Sequence, residues 1–306
     1  RLYDADSDTV VRNSIGTIST DKGVSFIPFD NKVYILNGYE YYVWDGIAIN
    51  PVTGYVPLVA TTIGPQGSAD AGELTAEYVN LLINKRRVWL SPDGDVNKTF
   101  RLPEKAKSIS SVKYLDGSTA PTYTFTANTD TITFTSTLSA AVNSIEVEYV
   151  VKTHSDDANI PDYRSQVTSN LFYEIFSGGT DMAVFVYGNG TNKAYYTGMD
   201  YDGLARPDYF PDQYEVQVGD SNTPITAMVR HYAVLVAYKT DITWALSYGT
   251  TELATGDLTV AINVTPVNRD RGNDAPGQVR LVENNPVTCS GSELYQWTNS
   301  SYYTNR

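Results

Sequence analysis

The sequence predicts an all-β protein, a β-propeller interrupted by a small inserted β-sandwich or barrel, and three observations carry that prediction. Short runs rich in Val, Ile, Thr, Tyr and Phe recur at roughly ten-residue spacing between Asn-Gly, Asp-Gly, Gly-Gly and Pro-containing breaks, the texture of sandwiches, barrels and propellers. A strand-turn-strand unit with aromatic strands recurs along the chain, as repeated blades require. Helical periodicity is almost missing: the best window, residues 73–85, offers Leu74, Tyr78, Leu81 and Leu82 as one amphipathic turn or two.

Taken in order, residues 32–46 (KVYILNGYEYYVWDG) read as a hairpin with Asn37-Gly38 as a type I′ turn, since both residues tolerate positive φ. Residues 51–72, rich in Pro and Gly, read as a loop leading into an insertion. The strands that follow are Thr-rich and alternate cleanly: 122–127, 131–136 and 143–152, with turns at Asn128-Thr129-Asp130 and Ala140-Ala141. Such alternation implies one buried face per strand. The aromatic hairpin returns at 182–198 around Gly188-Asn189-Gly190. Residues 225–249 then read as three strands broken near His231 and at Lys239-Thr240-Asp241, and a further copy opens at 291–303. The expected division is therefore a propeller from residues 1–50 and 158–306 and a separate β-domain over 52–156. About four such units can be counted, and the chain is expected to be a piece of something longer.

Charge excludes some functions. The 306 residues carry 22 basic and 35 acidic side chains, a net −13, which opposes nucleic-acid binding through a basic footprint. No sequence-specific nucleic-acid partner is expected. No run approaches the apolar length of a membrane span, so none is expected. Cys289 stands alone, which rules out an intramolecular disulfide and a thiolate metal cluster. Within residues 85–113, however, eight basic residues (Lys85, Arg86, Arg87, Lys98, Arg101, Lys105, Lys107 and Lys113) face three acids, a local +5 that leaves −18 elsewhere. They form a candidate subunit-docking patch.

Catalytic constellations are not found. A triad needs a positioned base, and the two histidines, His154 in a polar turn and His231 at a strand break, read as loop residues. Gly-x-Ser-x-Gly and the phosphate-cradling P-loop pattern are both missing, and two His with one Cys cannot fill a zinc shell. Carboxylates are plentiful enough for glycosidase chemistry, but the nearest sialidase-like box, Ser91-Pro92-Asp93-Gly94, has its glycine one place early. Asp4, Asp6 and Asp8 have the spacing of a calcium loop, but Thr9 and Ile15 replace its glycine and bidentate glutamate. Asn97, Asn189, Asn263 and Asn299 head glycosylation-type triplets expected by chance. No catalytic residue, cofactor or metal is expected.

Residues 205–246 resemble a blade junction of bacteriophage tail propellers. Arg206-Pro207-Asp208-Tyr209-Phe210-Pro211 is similar to a loop of that family, Val218-Gly219-Asp220 to the turn that follows it, and Tyr42-Val43-Trp44-Asp45-Gly46 to a recurrent blade edge. Residues 86–118 and 123–150 are similar to small β-modules of phage minor structural proteins. The resemblance implies a tail hub or nozzle protein of a short-tailed phage, forming a homo-oligomeric ring below the portal and adaptor as part of the DNA-ejection conduit. It implies neighbouring tail, adaptor and tail-fibre proteins as partners, the virion as location after synthesis in the host cytoplasm, and no catalytic residues. The same Tyr and Trp residues support an alternative, a glycan- or receptor-binding β-module for host attachment.

Overall fold

The structure, a computed structural model, describes residues 2–3, 14–68, 72–177, 182–252 and 258–297. The Asp4/Asp6/Asp8 run, Asn299 and the end of the 291–303 unit lie outside the described residues. The chain forms two compact units, one of Arg1–Val52, Ser165–Gly198 and Tyr214–Arg306, the other of Thr53–Arg164 and Met199–Gln213. The expected boundaries thus shift to 52/53 and 164/165. The stretch 158–306 is not one continuous part of the first unit, because 199–213 belongs to the second.

In the first unit, β1 (Leu2–Tyr3) pairs with β2 (Ser14–Gly16), and β3 (Ser25–Phe29), β4 (Lys32–Leu36), β5 (Tyr41–Trp44) and β6 (Ile49–Pro51) form an antiparallel meander in chain order. The β4–β5 hairpin lies where the sequence places it, but its turn is not type I′. Gly38 alone has positive φ, while the buried Asn37 side chain accepts from the Tyr39 and Glu40 amides and donates to Ser19 O. A side-chain-closed turn has replaced the backbone one. The tight turn with two left-handed residues sits one hairpin earlier, at Asp30-Asn31 between β3 and β4.

The second unit holds β7 (Leu58–Ile63), β8 (Leu74–Thr75), β9 (Lys85–Leu90), β10 (Thr99–Ala106), β11 (Ser108–Tyr114), β12 (Tyr123–Phe125), β13 (Thr129–Phe134) and β14 (Ile145–Val150). One sheet runs β11-β14-β9-β7-β8, with β7 parallel to β9, and the other β10-β13-β12. Their inward residues, among them Ala60, Val88, Leu90, Phe100, Ile132, Phe134, Ile145 and Val147, share one core, so this unit is a β-sandwich. Two expectations give way here. Residues 51–72 are not simply an entry loop, since β7 buries Leu58, Ala60 and Ile63 completely or nearly so. The 73–85 window contains no helix: Leu74 and Tyr78 are exposed, Leu81 and Leu82 are buried, and the Leu81 amide donates to Phe210 O rather than back to Glu77.

The short helix α1 (Tyr163–Thr168) spans the boundary in the chain. The first unit then continues with a second meander of β15 (Phe172–Phe176), β16 (Ala183–Tyr187), β17 (Lys193–Tyr196) and β18 (Glu215–Gln217). A third comprises β19 (Ala227–His231), β20 (Val234–Tyr238), β21 (Thr243–Glu252) and β22 (Leu258–Asn268). The breaks at 188–190, near 231 and at 239–241 fall where the sequence predicts. A sheet of β23 (Arg280–Val282), β24 (Asn285–Ser290) and β25 (Glu293–Gln296) follows. The second and third meanders share a core, and the third has a further cluster on residues that flank the last sheet. Phe176, Phe185 and Val216 pack with Met228, Leu235 and Leu246, and Val229, Val236 and Tyr238 pack with Val279 and the fully buried Trp297.

Candidate functional site

The second unit is where the candidate residues gather, and β9 distributes them by strand alternation. Successive side chains point to opposite faces, so Arg86 turns inward with Val88 and Leu90 while Lys85, Arg87 and Trp89 face out. On the outer face β14 supplies Glu146 and Glu148 in register between β9 and β11. Lys85 Nζ lies 2.9 Å from Glu148, Lys113 Nζ 2.9 Å from Glu146 Oε1, and Arg87 Nη1 3.6 Å from Glu146 Oε2. The Trp89 indole N–H also donates to Glu146 at 3.0 Å. Burial would raise the Glu146 carboxyl, but Lys113 and the Trp89 donor hold it below its ordinary value.

The remaining basic residues lie apart from that ladder. Lys98 pairs with Asp95 at 2.8 Å, Arg101 with Asp130 at 2.8 Å and Lys107 with Asp156 at 2.5 Å. Lys105 alone of the eight makes no ion pair among the described residues. The basic run is therefore not one surface: the fold separates its members and pairs most with carboxylates of the same unit. Counted whole, residues 53–164 and 199–213 carry eleven basic and seventeen acidic side chains, a net −6, so the local +5 is a property of the sequence segment and not of the folded unit.

Arg86 opens a different site. It is 8% exposed, its Nε lies 2.7 Å from Glu104 Oε1 on β10, and Tyr149 Oη donates to the same oxygen at 3.4 Å. Burial, with the Glu104 carboxylate, pushes the Tyr149 hydroxyl well up from its usual value, so it stays a donor. Arg86 and Glu104 form part of the wall of a groove of about 980 Å³, within the size range of ligand clefts. Leu81, Ile83, Val151 and Ile160 supply apolar wall, Lys105 and Lys152 stand on one part of the rim, and Asp212 contributes from the 199–213 segment.

That segment is held by a residue the sequence did not single out. Asn80, 1% exposed, donates through Nδ2 to Tyr55 O and Asp208 O at 2.8 and 2.9 Å, and its Oδ1 accepts from the Leu82 and Phe210 amides at 3.1 and 3.0 Å. Beside it, Tyr55 lies under the Arg87 and Arg206 guanidinium groups, 5.6 and 4.9 Å from its ring centre, a cation–π arrangement. Arg206 forks onto Asp208 at 2.9 and 3.1 Å. The Tyr55 hydroxyl donates to Glu77 at 3.0 Å, and burial with that carboxylate pushes it up to about 12. Burial likewise raises Glu77. The Arg206–Pro211 loop thus works as an internal clamp of the second unit. Asn80 gave no sequence signal because a lone Asn in an apolar stretch carries no spacing pattern.

His154 Nδ1 lies 2.6 Å from Ile160 O in an exposed turn, and burial lowers the pKa of His231. No three His, Cys, Asp or Glu side chains gather as a metal cluster among the described residues, and none of their helices is long and apolar enough to cross a membrane. No protein-family model matches the chain, and no curated protein matches it.

Proposed function

We propose that the chain is a structural subunit of a phage tail, a nozzle or hub protein that assembles into a ring below the portal and adaptor, with its first unit built as propeller blades and its second as the inserted β-domain. The observation that supports this reading best is the construction of the first unit. Three sheets are antiparallel meanders of four strands in chain order, and the second and third share a hydrophobic core, as radial blades do. The net charge of −13 suits a conduit wall that DNA must pass without adhering. Subunit docking through the basic run would rest mainly on Lys105, its one member without an ion pair among the described residues. Exposed charges already paired within their own unit add only about 0–1 kcal/mol each, so apolar and Tyr-rich surfaces would supply most of the affinity.

The test is electron microscopy of assembled particles together with the solution mass of the purified chain. A closed ring of copies with radially disposed sheets is the expected outcome. A single copy per particle would overturn the ring, and selective binding on a glycan array with no place in a tail would favour the host-attachment reading.

A further inference from the structure

The groove of the second unit holds two buried polar atoms of opposite kind without hydrogen-bond partners. Arg86 Nη1 is a donor on a side chain nine-tenths buried, and its charge cannot be relieved by deprotonation. Asp212 Oδ1 is an acceptor contributed by the segment that the Asn80 clamp holds in place. A buried polar group left unmade costs about 1–3 kcal/mol, more when charged, and here two such groups share one cavity. Arg86 sits at the start of β9, whereas Asp212 is bonded through its amide to Val79 O, so the two lie at opposite ends of the 79–86 stretch that forms one wall. Between them Leu81, Leu82 and Ile83 supply apolar wall, with Asn80 and Asn84 at its two ends.

We propose that this groove is a peptide-binding site that takes an extended segment bearing one Asp or Glu, whose carboxylate accepts from Arg86 while a main-chain N–H of the same segment donates to Asp212. Charge selects the ligand class. The groove carries Arg86, Lys105, Lys152 and Arg164 against Glu104, Asp162 and Asp212, a net +1 that matches one carboxylate and not a dianionic phosphate or a nucleic-acid backbone. Size agrees, since about 980 Å³ exceeds what a free ion needs, and the apolar wall between the two polar ends suits side chains on an extended strand. Neither orphan atom is used by the ion-pair ladder on the outer sheet face, and the inference stands whether or not the chain belongs to a phage tail.

The experiment is an array of eight-residue peptides probed with the full-length chain. Each peptide with a single Asp or Glu is matched by its Asn or Gln counterpart and by a phosphoserine counterpart. The acidic member should be retained at least tenfold better than its amide. Lys105→Glu, an exposed change that turns the groove from +1 to −1, should erase that preference, and Asp212→Asn should weaken acidic and amide peptides alike. Circular dichroism confirms that both variants are folded. Because Arg86 is buried against Glu104, the joint Arg86→Leu/Glu104→Leu variant tests the donor without leaving an unpaired charge; it should bind acidic peptides no better than amides. Equal retention of acidic and amide peptides by the native chain, stronger retention of phosphoserine peptides, or a preference that survives Lys105→Glu would overturn the proposal.

Discussion

Replacing Asn80 by Ala should destabilise the second unit more than any surface change in the chain. The side chain makes four hydrogen bonds of 2.8 to 3.1 Å, all to backbone groups of three separate segments: Tyr55 O, Asp208 O, and the amides of Leu82 and Phe210. Leu82 and Phe210 are themselves 3% and 0% exposed, so their amides have no ready route to solvent. At about 1 kcal/mol per lost bond, with a larger penalty for any group left buried and unpaired, the loss comes to about 3–5 kcal/mol. Asn80→Asp should be at least as damaging, because it turns a donating NH2 into an oxygen facing two carbonyls. Urea denaturation gives the free energy, and amide exchange of Leu82 and Phe210 locates it. Both amides should lose protection, and protease should gain access to 199–213. A loss below 1 kcal/mol with the Phe210 amide still protected would refute the clamp.

Burial pushes Glu174 on β15 up to about 7 against the opposing pull of Arg230 and Arg280, from an ordinary 4.5. The folded chain therefore holds this proton more tightly: the stabilisation is complete below pH 4.5 and is lost as pH rises to 7, costing at most about 3 kcal/mol above it. Glu174→Gln should raise the denaturation midpoint at pH 8, leave it nearly unchanged at pH 4, and flatten the profile between; an equal effect at both pH values would contradict the burial argument. Gly272→Ala places a methyl 2.0 Å from Lys239 O and 2.5 Å from Thr240 C, both backbone atoms that cannot swing away, and should cost about 2–3 kcal/mol by thermal melting. Deleting residues 53–164 alone strands 199–213 without Asn80, so that loop should become a new cleavage site in limited proteolysis while the remainder still melts cooperatively; protection of the loop would show that it does not depend on the clamp.

The all-β class and the positions of most hairpins could be read from the sequence, because they depend on local quantities. Val, Ile, Thr, Tyr and Phe alternate with a period of two, and Gly188, Gly190 and Asn128 stand where φ must be positive. Local readings failed where a distant partner supplied the hydrogen bond. The apparent helix at 73–85 is instead a short strand followed by a turn, because Phe210 O, more than a hundred residues away, satisfies the Leu81 amide. Asn37 closes its turn with its side chain, so the two left-handed residues fall at Asp30-Asn31 instead. The basic run behaves likewise. As a segment it is +5, a count that already includes Glu104, but Asp130, Glu146, Glu148 and Asp156 arrive from elsewhere in the chain and neutralise most of it. The groove was invisible for the same reason: Arg86 and Asp212 are 126 positions apart, and Asp212 reaches that wall through the Asn80 clamp, which ties 208–210 to 80–82, together with the backbone bonds from the Asp212 amide to Val79 O and from the Leu81 amide to Phe210 O. Pattern and propensity act over a few residues, whereas burial of a charge and pairing of a buried donor are decided by whatever the fold brings within about 3 Å.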